Sequence, residues 1–377
     1  MDNPLAKGVE RMRRRIPWTA IVAAILALGF VLSGCGKKDA SAIVKDLDKV
    51  MSKLESYRAS GTMTLHTGQQ PLNYKVEVWY QKPDYYRIAL TNEKKDITQI
   101  VLRNDEGVFV LTPSLKKSYR FQSDWPENQG QVYLYQTLVH SIQMDNSRQF
   151  TTDKDAYVFD VMAGNYQNGS FARQKIWLSK ENYAPKHVEV TDTNNNVMLE
   201  VNFDSFEFGK KFDVTDFDMQ RNMNWPADTS SGYVEIRPSE SEEGEQAGEG
   251  EEEGALAPEA QESVPVIEPD PDALPEGVYL KDVSDVQLGG KMGVMLRYSG
   301  TYDFTILEAV QHERDVLKYE GIMLDLGFTI GHLSGDETKT LTWTHDGMEF
   351  RLTTMDLPQD AMVRIAQSMA ESEASGK

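Results

Sequence analysis

Cys35 is the single cysteine of the 377-residue chain, and its surroundings define the chemistry open to it. Leu32-Ser33-Gly34-Cys35 closes an apolar run of 15 residues from Trp18 to Leu32, which follows a basic block of Arg11, Arg13, Arg14 and Arg15. Fifteen residues fall short of the roughly 20 that a stable spanning helix needs, so the run reads as the apolar region of a signal peptide. The four residues at its end form a lipobox. Cleavage after Gly34 would leave Cys35 as the new N-terminus, its sulfur carrying a lipid; the alternative is an uncleaved anchor with a chance cysteine. Met12 opens a more compact basic region than Met1 and is a second candidate start. With no second cysteine the mature chain has no intramolecular disulfide available, so packing must stabilise it. The sequence predicts a protein lipid-anchored at the outer face of the plasma membrane.

Other reactive side chains show no catalytic spacing. His66, His140, His187, His312, His332 and His345 include no His-x-x-His or His-Glu-x-x-His pattern for zinc. "GHLSG", residues 331–335, lacks the Gly-x-Ser-x-Gly order of a nucleophile elbow. Asp213, Asp216 and Asp218 cluster without the glycine and distal glutamate of a calcium loop. No glycine loop is built to cradle phosphate. The sequence therefore predicts no enzyme, no metal and no cofactor.

The net charge is −20, and removing a leader with five basic and two acidic residues takes it to about −23. No basic stripe remains to meet phosphates, which argues against nucleic acid. Thirteen acidic residues and no Lys or Arg lie between Glu240 and Asp272, among Gly, Pro, Ser and Ala. Like-charge repulsion and low hydrophobicity oppose a packed core there, so 229–276 reads as a disordered spacer that leaves the following module free. The resulting organisation is a signal peptide at 1–34, a lipidated tether at 35–40, a first domain at 41–228, the acidic linker at 229–276, a second domain at 277–370 and a tail at 371–377.

"SAIVKDLDKVMSKLESY" spaces Ile43, Val44, Leu47, Val50, Met51, Leu54 and Tyr57 for one amphipathic helix. From Ser60 the period changes to two, as in "YKVEVWY" and "VMLEVNF", and about eleven short strands are predicted as far as Phe208. Turn signals at Lys82-Pro83-Asp84, Asn104 to Gly107 and Asp192 to Asn196 separate them. "NQGQVYLYQTLVHSI" interrupts with a helical pattern. After Gly277 come strands with a Gly289-Gly290 turn, a hairpin turning at Asp346-Gly347, and a closing helix that starts near Pro358 with Met362, Val363, Ile365, Ala366 and Met369 on one side.

The N-terminal helix, "SYRASGTMTL", "VEVWYQKPDYYRIAL", "NDEGVFVLTPSLKKSYRF" and "KIWLSKENYAPKHVEVTDTNNNVMLEVNFDSFEFGKKFDVTDFDM" together resemble the LolA-type lipoprotein-carrier fold over residues 41–225. The run from Phe121 to Pro126 is similar to one in the sporulation-linked lipoprotein branch of spore-forming Gram-positive bacteria. The resemblance implies a mainly β fold: a curved antiparallel half-barrel whose open mouth is covered by helices. The segment after Gly277 is similar to a small α+β module of unknown function.

In this fold the apolar hollow holds acyl chains. The resemblance thus implies that Met63, Leu65, Val76, Val78, Ile88, Val188, Val190, Leu199 and Val201 line the concave face; they equally suit a filled core. Arg87 matches the arginine that bonds to the lid in soluble carriers, or else faces water or pairs with Asp84. Trp125 gates the mouth, or plugs it by packing. The chain departs from soluble carriers in its lipid anchor. Two functions are expected: a tethered protein binding an acyl chain, lipid or lipoprotein, with a link to sporulation or envelope maintenance, and a sensory or scaffolding module for a membrane partner such as an anti-sigma factor.

Overall fold

The computed structural model describes residues 38–66, 70–121, 125, 131–163, 173–224, 264–288, 291–310 and 321–370. Cys35, the leader, residues 229–263 of the acidic tract, the Gly289-Gly290 turn and the tail lie outside the described residues. The chain divides into two compact units, residues 1–46 and 47–377. In the first unit Asp39 caps the opening of α1 (Ala40–Ser52), its Oδ1 accepting from the Ala42 backbone N–H at 2.7 Å. Lys38 pairs with Asp46 at 2.7 Å in the same unit.

Both β-sheets belong to the second unit. The larger has eleven antiparallel strands, in agreement with the period-two reading: β1 (Ser56–Leu65), β2 (Leu72–Gln81), β3 (Tyr85–Asn92), β4 (Ile97–Asn104), β5 (Gly107–Thr112), β6 (Lys117–Phe121), β7 (Gln149–Thr152), β8 (Ala156–Met162), β9 (Arg173–Ser179), β10 (Pro185–Thr191) and β11 (Val197–Phe208). Their spatial order is β6-β5-β4-β3-β2-β1-β11-β10-β9-β8-β7, so β1 sits centrally and the sheet is open at β6 and β7. Side-chain chemistry makes the turns. Asn104 Oδ1 accepts from the Glu106 N–H, and Asp192 Oδ1 accepts from the N–H groups of Asn194 and Asn196, letting Asn195 take a left-handed φ of 65°. The predicted interruption forms α2 (Tyr135–Met144), and the chain leaves β11 through a 3-10 turn into the short α3 (Met219–Met223).

The second sheet runs β12 (Tyr279–Leu288), β13 (Lys291–Ser299), β14 (Phe304–Val310), β18 (Met348–Thr354), β17 (Lys339–His345), β16 (Ile330–Ser334) and β15 (Ile322–Asp325) in spatial order. Asp346 and Gly347 make the predicted two-residue turn between β17 and β18 with φ of 48° and 81°, the left-handed pair that such hairpins need. In α4 (Gln359–Met369) the predicted apolar side is buried, and Pro358 is its N-cap. A sheet with one packed helix is the expected α+β module.

Two expectations about the linker need correction. Residues 264–276, assigned to the acidic spacer, are bonded to the second sheet and to α4: Val266 is buried, the Ile267 N–H donates to Glu308 Oε2 of β14 at 3.0 Å, and the Asp270 N–H donates to Ser368 Oγ of α4 at 3.2 Å. Averaging charge over the tract hid the apolar, proline-rich "VPVIEPDPDALP", which has side chains to bury. Nor is the second module free. Tyr119 donates to Glu349 Oε2 at 2.7 Å, Gln99 donates to Thr344 Oγ1 at 3.2 Å, Lys95 pairs with Asp346, and a Cβ at Gly347 would lie 2.7 Å from Leu115 Cδ1. The two sheets share an interface.

Candidate functional site

Residues directly opposite each other in an antiparallel pair project to the same side of the sheet. Val78 faces Ile88, and Gly61 faces Val76. Met63 faces Val201, Leu65 faces Leu199, Val188 faces Val201, and Val190 faces Leu199. Strand parity then puts all nine predicted lining residues on one face of the larger sheet. Each is between 0% and 4% exposed, so the face is covered.

Among the described residues, two parts of its cover are held by side-chain bonds. At one end Tyr57, Tyr80 and Tyr86 stand in a row across β1, β2 and β3. Tyr135 of α2 packs over this end, its ring 5.5 Å from Phe206 and 5.1 Å from Phe208. Gln136 staples the helix down: Tyr57 donates to its Oε1 at 3.0 Å, and its Nε2 donates to Tyr86 Oη at 3.0 Å. Burial, followed by the neighbouring tyrosines, pushes the Tyr57 phenol well above its ordinary pKa, so it remains a donor. Trp125 lies edge-on to Tyr86 with ring centroids 5.8 Å apart and is 1% exposed, the packing of a plug.

The second part is the C-terminal sheet. Leu90 faces Gln99, and Val101 faces Val110, which faces Tyr119; Gln99 and Tyr119 therefore rise from the same side as Ile88. Their partners Thr344 and Glu349 belong to the β17–β18 hairpin. Arg351 donates to the other Glu349 oxygen at 2.6 Å, so this buried carboxylate is bonded at both oxygens. Burial would raise the Asp346 carboxyl, but hydrogen bonds and charge from His345 and Lys95 outweigh it and hold the pKa at about 2. In the turn between β15 and β16 a Cβ on Gly327 would lie 3.2 Å from Leu65 Cδ1, which places this turn against the apolar face as well. Beside it, burial pushes Asp325 up to about 7, opposed by the Gly327 N–H donated to Oδ1.

Arg87 does not act as the expected latch on a cover over the hollow. It is the strand neighbour of Ile88, so its guanidinium leaves the sheet on the opposite face. There Nε donates to Asn222 Oδ1 at 2.6 Å, one Nη donates to Glu77 Oε2 at 3.0 Å, and the guanidinium lies 4.4 Å from the Trp79 ring centroid. Asn222 is positioned by donating to the carbonyls of Asp216 and Asp218. This face has its own apolar cluster of Trp79, Ala89, Ile100, Leu102, Phe109, Leu111 and Phe217, packed by Tyr85, Phe212, Met219 and Met223. The alternative pairing with Asp84 belongs instead to Arg103, at 3.7 Å.

Gln136, Gln99, Tyr119 and Glu349 were not singled out in the sequence. One signal was available: tyrosines at the inward positions of β1, β3 and β6 carry a polar tip that a covered face must match. Among the described residues no group of three or more His, Cys, Asp or Glu side chains is placed to hold a metal, and no helix is long and apolar enough to cross a membrane.

Residues 14–217 match the family model described as "Sporulation protein YdcC-like". The chain is 36% identical over 358 residues to "Sporulation protein YdcC" of Bacillus subtilis (strain 168), across 94% of this chain and 97% of that protein. Among solved structures, the Pseudomonas aeruginosa MucA/MucB complex is similar over 90% of this chain and 100% of that one, at 12% identity and a TM-score of 0.31. A putative outer membrane lipoprotein-sorting protein domain from Vibrio parahaemolyticus is similar over 50% of this chain and 100% of that one, at 14% identity and a TM-score of 0.29.

Proposed function

The chain belongs to the YdcC-like family of sporulation proteins, and on that premise we propose that it is a membrane-anchored, extracytoplasmic, non-enzymatic protein that binds an acyl chain, lipid or lipoprotein tail on the apolar face of its larger sheet. The observation that carries this reading is the convergence of nine aliphatic side chains on one face, beneath a cover attached through polar side chains. An acyl chain replacing the cover would gain on the order of 0.8 kcal/mol for each methylene it buries. Anchoring through a lipidated Cys35 would keep the site at the outer face of the plasma membrane, where such chains are concentrated.

A second reading is a sensory or scaffolding module for a membrane protein. The near-complete burial of the same nine residues favours it, because a filled core needs no ligand. Lipid extraction and mass spectrometry of the purified chain from Gly36 onward separates the two. Stoichiometric acyl lipid is expected; an empty chain would transfer support to the scaffold. In cells, a labelled fatty acid should mark the protein and should fail to mark Cys35→Ala, whereas equal labelling would remove the anchor.

A further inference from the structure

One row of this face sets a buried polar side chain among aliphatic ones. Gln174 of β9 lies directly opposite Val161 of β8 and Val190 of β10. Val190 faces Leu199, and Leu199 faces Leu65, so the glutamine completes a row that is otherwise aliphatic. It is 2% exposed, and its Nε2 has no hydrogen-bond acceptor among the described residues. An amide donor taken out of water without an acceptor costs folding free energy that methionine or leucine at the same position would avoid. Elsewhere on this face Tyr57, Tyr86 and Tyr119 each have a partner in the cover. Gln174 has none among the described residues.

We propose that Gln174 is the polar anchor of the ligand site, and that its Nε2 donates to the carbonyl oxygen of an ester- or amide-linked acyl chain. The hydrocarbon would run along Val188, Val190, Leu199 and Val201. A bare hydrocarbon leaves the donor unmet, and an ionised fatty acid brings a charge that one neutral donor cannot compensate in a buried setting. The ligand class is therefore an acylglycerol or acylated protein in preference to free fatty acid. This rests on the lipid-binding reading above.

The test uses the chain from Gly36 to Lys377, which keeps every described residue, with heptadecane, methyl palmitate and palmitate delivered from cyclodextrin at pH 8. Relative to their partition from cyclodextrin, methyl palmitate should bind about tenfold more tightly than heptadecane, equivalent to about 1.4 kcal/mol. Palmitate should be the weaker of the two oxygen-bearing probes. Gln174→Met, close in length and volume, should erase the ester preference, retain heptadecane binding and raise the melting temperature of the ligand-free chain. Equal binding of ester and alkane by the unaltered chain, or the same preference in both proteins, would overturn the role of Gln174 while leaving lipid binding intact. Binding of none of the three probes would overturn the lipid reading and this proposal with it.

Discussion

On one face of the larger sheet, Trp79, Ile100, Leu102, Phe109 and Leu111 are covered by residues that follow β11 directly, and a buried arginine joins the two. On the other face, Val76, Val78, Ile88 and Val201 are buried, and α2 and the C-terminal hairpin are held to that face at Gln136, Gln99 and Tyr119. The first face buries a charge that would lose its partners if the cover left, so cover and sheet stand or fall together. The second is closed by neutral hydrogen bonds, each with a net contribution of about 1 kcal/mol, and by the charge-assisted contacts of Tyr119 with Glu349 and Lys95 with Asp346, of about 1.5 to 3 kcal/mol each; Glu349 would keep Arg351 if this cover left. Burial is alike on the two faces; the bonds that close them differ.

Arg87→Ala should test this contrast most severely. It leaves Asn222 Oδ1 and a Glu77 oxygen without their donor, and urea unfolding should show a loss of about 3 to 5 kcal/mol with ligand retention unchanged in the folded fraction. A loss below about 1 kcal/mol accompanied by faster ligand release would restore Arg87 to the cover.

Asp325 tests the other face, since its turn rests on Leu65. Its folded pKa is raised to about 7 by burial, so its contribution to stability is complete below the unfolded value near 4 and is lost as pH rises to about 7. Asp325→Asn can still accept from the Gly327 N–H but leaves an unmatched amide. The variant should change little at pH 4 and gain about 3 kcal/mol at pH 8, measured by denaturant titration at each pH. A difference independent of pH would mean that the carboxyl is not confined as described.

Gln136→Leu should have the smallest effect on global stability, about 1 kcal/mol, because it removes two neutral bonds at one helix. Amide hydrogen exchange should locate that loss, with α2 exchanging about tenfold faster and β1 to β3 unchanged. Uniform acceleration across the sheet would show that the aromatic end is integral core and would erase the contrast between the faces.

Local chemistry was the legible part of this chain. Alternation from Tyr74 to Tyr80 and from Val197 to Phe203 placed side chains on the correct faces, and Asp346-Gly347 made its turn, because each depends on neighbours a few residues away. Arg87 was misread because its partner Asn222 lies 135 positions along the chain, and Tyr119 was overlooked because Glu349 lies 230 positions away. Gln174 escaped notice for a different reason. A search for apolar periodicity counts a glutamine as an interruption, whereas the register shows it occupying an aliphatic row.

The central position of β1 has a consequence for how the protein is made. Tyr57 on this first strand pairs with Tyr80 soon after, but its other edge must wait for Phe208 on the last strand of the sheet. Hydrogen-bonding groups and an apolar row therefore remain unpaired while the intervening nine strands are synthesised and delivered. Such non-local pairing folds slowly, since the loop must close before the contact contributes. The strand at the heart of the finished sheet is thus the exposed edge of the nascent one, and the interval before β11 arrives is when the chain is most open to aggregation.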